Sequence, residues 1–112
     1  MHRAAPCRNA PVTFTLYGMK YFDVLWRHAL ESEPVRLLCE VDERGRELRK
    51  LEFFADARVG YACEGMEMGG TRLSLEPLPP LAFINAQSEF EGAEVDRAVF
   101  EDLWQEHVGH AI

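Results

Sequence analysis

VRLLCEVDERGRELRKLEFF, residues 35–54, is the stretch whose reading decides the fold. In its first half Val35, Leu37, Cys39 and Val41 fall on one side of an extended chain and Arg36, Leu38, Glu40 and Asp42 on the other. That is the period-two pattern of a half-buried strand. Glu43-Arg44-Gly45 interrupts it, and a glycine there takes a positive φ without a Cβ clash, closing a three-residue hairpin loop with a bulge. A second strand returns over residues 46–54. Pairing Asp42 with Arg46 sets the expected register: Leu37 opposite Leu51 and Val35 opposite Phe53 on the buried face, Arg36 opposite Glu52 on the other. Each pair is of compatible type, and a one-residue slip would carry every side chain to the wrong face. The same register puts Arg49 on the buried face opposite Cys39, where a cation needs a partner.

Working outward, residues 21–28 are aromatic and β-branched, with Phe22, Val24 and Trp26 on one face. They read as the first strand. Glu31-Ser32-Glu33-Pro34 makes a turn, since proline cannot donate to a ladder. Asp56-Ala57-Arg58 turns into a fourth strand over residues 59–64. A glycine-rich connection, residues 65–70, leads to a fifth over residues 71–75. Residues 77–80 are proline-stiffened, and residues 81–87 read as a short helix opened by proline. Residues 90–95 read as an extended passage or edge strand. Asp96 then suits the N-cap of a second helix in which Phe100, Leu103, Trp104 and Val108 form one stripe while Glu101, Asp102, Gln105 and Glu106 face water. Burying Phe100 and Trp104 contributes about 4 kcal/mol. The expected fold is α+β: an antiparallel five-stranded meander with a short helix and a C-terminal amphipathic helix packed on one face.

With 112 residues, 47% hydrophobic and 28% charged, the chain has the composition of one folded domain and is too short for two cores. Residues 1–18 are expected to form an extension, disordered or ahead of an alternative start at Met19, with one domain over residues 19–112. A formal charge of -7 and a pI near 5.0 repel phosphate backbones and anionic lipid, so no nucleic-acid or membrane partner is expected. The bases of residues 44–50 are interleaved with Glu43, Glu47 and Glu52 and form no patch. Cys7, Cys39 and Cys63 are odd in number and lack a C-x-x-C pair; they fit neither a disulfide framework nor zinc, and a reduced cytoplasm is the simplest setting.

A series of short motifs runs through the chain: W-x-H at Trp26 and His28, E-P-V from Glu33, E-V-D from Glu40, R-K-x-E from Arg49, and Y-A at Tyr61. P-P-L from Pro79, E-F-E from Glu89 and F-E-x-L-W from Phe100 complete it. In order and spacing the series resembles a bacterial family known as domain of unknown function 6881, over Met19 to about Glu106. The resemblance implies a small bacterial domain with no established activity, and it carries over no catalytic residues. That family tends to have Asp-Gly where this chain has Asp56-Ala57-Arg58, and alanine makes a turn with positive φ costlier.

His28, Glu40, Arg49 and Glu52 are the candidate site residues, since all four lie on the first three strands. Histidine beside carboxylates can act as acid or base, and arginine can clamp a carboxylate or phosphate. A structural role is favoured for them: an Arg36–Glu52 surface pair, and an Arg49 satisfied by helix-terminal carbonyls or a carboxylate. His107 and His110 have a metal-compatible spacing without a third ligand, and Gly69-Gly70-Thr71 lacks the lysine of a P-loop. No cofactor or metal is expected. The leading expectation is a protein-binding or accessory module that meets a basic partner, in the manner of small acidic bacterial immunity proteins. The alternative is a small enzyme or ligand-binding domain built on the His/Arg/carboxylate set. A homodimer is a third reading, since Tyr21 and Leu25 make both sides of the first strand apolar.

Overall fold

The computed structural model describes residues 18–109. The expected extension before them and His110 after them lie outside the described residues. Six strands form one antiparallel sheet: β1 (Lys20–Trp26), β2 (Arg36–Val41), β3 (Glu47–Phe53), β4 (Val59–Cys63), β5 (Met66–Met68) and β6 (Phe90–Val95). Their order is β5-β4-β3-β2-β1-β6. Two helices are given in full among the described residues, α1 (Leu81–Asn85) and α2 (Arg97–His107). The α+β class and the meander stand, with six strands where five were expected. Residues 71–75 are irregular, and the fifth strand is instead Met66–Met68, folded back on β4 through Glu64 and Gly65, whose φ is 83°. The edge strand over residues 90–95 pairs with β1, Val24 facing Gly92.

Both faces of the sheet are covered. On one, α2 lays Phe100 and Trp104, 0% and 1% exposed, over Tyr21, Leu38, Leu51 and Tyr61. The expected helical stripe therefore forms, though Asp96 at its N-cap makes no side-chain capping bond. On the other, residues 69–80 run across the strands and lead into α1, whose Ile84 is buried. Leu38 lies on the face that the sequence pattern assigned to solvent, yet it is 0% exposed. Covering from both sides erases the half-buried alternation.

The hairpin register begins as expected and then shifts. Asp42 N–H donates to the Arg46 carbonyl at 2.9 Å, and Val41 faces Glu47. Beyond that point Leu48 is an extra residue in β3, and the pairs become Glu40 with Arg49, Leu38 with Leu51 and Arg36 with Phe53. The bulge thus replaces the expected Cys39–Arg49 and Leu37–Leu51 pairs. It has a second effect. In a regular strand residues three apart point to opposite faces, but here Glu47 and Lys50 share the loop-covered face and form an ion pair at 3.0 Å.

Candidate functional site

Of the four candidate residues, Glu40 and Arg49 meet. Arg49, 7% exposed, donates from Nε to Glu40 Oε1 at 2.7 Å and from Nη2 to Oε2 at 2.9 Å. From the helix side Glu101 accepts Nη1 at 3.2 Å and Nη2 at 2.6 Å. The guanidinium lies over the rings of Phe100 and Trp104, 4.8 and 5.1 Å from their centroids, and Tyr21 donates its hydroxyl to Glu40 at 2.8 Å. Glu101, expected to face water, instead turns inward to serve as the second counter-ion.

The electrostatics follow from that packing. Burial works against the Arg49 charge, but the bonds from Glu40 and Glu101 outweigh it and hold its pKa above the ordinary value. Burial likewise works against Glu101, and Arg49 still brings its carboxyl below the usual range. Tyr21 is pushed well up, first by burial and then by its bond to Glu40. A cation with two carboxylates and two aromatic faces is fully engaged within the fold.

Glu52 and His28 lie elsewhere. Glu52 is on the loop-covered face, where it accepts the Thr71 hydroxyl at 2.8 Å, while Arg36, its expected partner, makes two bonds to Asp23 at 3.0 and 2.8 Å. Together Glu47, Lys50 and Glu52 pin residues 71–74 across the sheet: Lys50 Nζ donates to the Arg72 carbonyl at 3.0 Å and Ser74 N–H donates to Glu47 at 2.6 Å. His28 clasps the β1–β2 connection. Its Nδ1 accepts Leu30 N–H at 2.9 Å, which leaves the proton on Nε2 to bond the Pro34 carbonyl at 2.7 Å. The four residues therefore occupy three separate places. Among the described residues no group of three His, Cys, Asp or Glu is arranged for a metal ion, and His107 packs edge-on against Phe53 at 5.2 Å.

One concave site belongs to none of the four. A cavity of about 200 Å³ opens between the loop-covered face and α1, lined by Val24, Leu37, Leu78, Ile84 and Phe90 together with Cys39 and Glu47. Cys39 is free and buried, and burial together with the nearby Glu47 carboxylate pushes its thiol well above the ordinary range, which makes it a poor nucleophile. In the segment and helix that supply Leu78 and Ile84 to the lining, Leu75 is 99% exposed and Phe83 60%. Sequence reading missed this site because its apolar walls come from five parts of the chain, β1, β2, the covering segment, α1 and β6, brought together only by the fold.

The chain belongs to the family described as Domain of unknown function (DUF6881), whose sequence profile matches residues 20–109. No curated protein and no solved structure matches it. No helix among the described residues is long and apolar enough to cross a membrane.

Proposed function

For a member of a family without an assigned activity, we propose a protein-binding accessory role, in which a basic partner docks on the loop-covered side and inserts one apolar side chain into the cavity. The observation that carries this reading is the cavity itself. At about 200 Å³ it falls below the roughly 300–1,000 Å³ of small-molecule sites, and its walls are apolar. A single bulky side chain suits it better than a metabolite. Leu75 and Phe83, on the same covering segment and helix as the lining residues Leu78 and Ile84, are exposed apolar side chains of the kind that surround an anchor at a protein interface.

Charge supports a basic partner. Phe90, a wall of the cavity, lies between the exposed Glu89 and Glu91, and the chain as a whole carries a formal charge of -7. Such a field steers cationic surfaces and weakens with salt.

The test is a pull-down from the native host with the natural chain and with Leu75→Glu/Phe83→Glu, whose sites are exposed enough to leave the fold intact. We expect one basic protein to be retained by the natural chain, less so at raised salt, and at least about tenfold less by the double variant. Recovery of no specific protein, or equal recovery by both chains, would refute the proposal.

A further inference from the structure

The outer edge of β6 is closed by a side chain. Arg27 N–H donates to the Glu89 carbonyl at 2.8 Å, so in this antiparallel ladder Glu89, Glu91 and Ala93 turn their backbone groups toward β1. Phe90, Gly92 and Glu94 turn theirs away from the sheet. Outward groups on an edge strand are a template for another chain. Here Phe90 N–H is taken by the Gln87 carbonyl at 3.0 Å, and both groups of Gly92 are taken by Asn85. Gly92 N–H donates to Asn85 Oδ1 at 2.6 Å, and Asn85 Nδ2 donates to the Gly92 carbonyl at 3.0 Å. A carboxamide carries one acceptor and a donor side by side, as a neighbouring strand would present them.

The glycine is part of the device. A Cβ at position 92 would lie 2.8 Å from Leu81 Cδ1 and 3.3 Å from Val24 Cγ2, so a larger residue would have to push the tip of Leu81 aside where α1 brings Asn85, its last residue, to the strand. At the other end of the sheet β5 has three residues, and such shortness itself blunts an edge.

We infer that Asn85 acts as a strand surrogate that stops the sheet from extending through β6, and that without it a second copy of this chain pairs there, β6 to β6, about Gly92. Such pairing is self-complementary: Gly92 faces its twin, Phe90 faces Glu94 and Glu91 faces Ala93, so no two carboxylates are directly opposed.

Asn85 is exposed, and Asn85→Ala should fold and form a concentration-dependent dimer by sedimentation while the natural chain stays monomeric at the same concentrations. Adding Glu94→Pro, which an outward edge position tolerates but a paired one does not, should return it to monomer. In the natural chain the Gly92 amide should exchange with solvent about tenfold or more slowly than that of Glu94. A folded Asn85→Ala that remains monomeric, or a dimer that survives Glu94→Pro, overturns the inference. Should Asn85→Ala fail to fold, the exchange comparison decides, and equal rates at Gly92 and Glu94 sink it.

Discussion

At the residue scale the sequence posed a definite question at Arg49 and left its answer open. Alternation was enough to place the side chain in the interior, and a buried guanidinium demands a counter-ion. Which one it finds depends on Leu48, whose insertion as a bulge turns Glu40 instead of Cys39 toward it, and on α2 lying so that Glu101 points down. Neither is written in the local pattern. A buried pair broken on one side leaves an uncompensated charge, so Arg49→Met should lower stability by about 3–5 kcal/mol, because Glu40 at 0% exposure keeps only Tyr21. Replacing both members, Glu40→Leu with Arg49→Met, removes the stranded charge and should recover most of the loss. Urea unfolding of the two singles and the double closes the cycle, and an Arg49→Met chain within about 1 kcal/mol of the natural one would show the pair to be incidental.

Elements were legible where one signal decided them. Strands β1 to β4 and both helices carry their own periodicity, and β6 was readable as an edge. Strand β5 was misplaced because residues 71–75 alternate like a strand, yet the hydrogen bonds of Thr71 and Ser74 go to Glu52 and Glu47 instead of to a neighbouring ladder. The β3–β4 turn was legible in its difficulty. Ala57 adopts φ 76°, the one positive value outside glycine among the described residues. Asp56 supports it by accepting Arg58 N–H at 3.1 Å, and Ala57 N–H donates to the Phe54 carbonyl at 3.0 Å. An L-residue in that region costs about 1–2 kcal/mol, whereas glycine loses about 0.5–1 kcal/mol more backbone entropy on folding. The first effect wins, and Ala57→Gly should raise stability by about 0.5–1 kcal/mol, read as a higher urea midpoint at unchanged slope. A lower midpoint would mean that the turn is unstrained.

For the whole molecule, the Arg49 network sets stability at both ends of the pH range, against a background governed by net charge. At pH 7 the chain carries -7, and self-repulsion relaxes as the pH falls toward 5.0, so stability should first rise on acidification. Glu101 acts in the opposite sense. Its folded-state pKa lies below 4.5 because Arg49 outweighs burial, so the stability it adds is complete above that value and is lost as the pH falls through the folded pKa. Tyr21 acts at the alkaline end together with Cys39, whose buried thiol is likewise held above its ordinary value. Burial and the bond to Glu40 raise the Tyr21 pKa above 10.0, so its proton is held more tightly in the folded chain, and that contribution is complete below pH 10 and lost above it. Unfolding midpoints followed from acid to alkali should therefore fall at both limits. Glu101→Gln should flatten the acid limb alone. Tyr21→Phe should make the alkaline limb shallower, leaving the part due to the Cys39 thiol, while lowering the plateau by about 1 kcal/mol for the lost hydrogen bond. Curves that merely shift in parallel would mean that other groups set both limits.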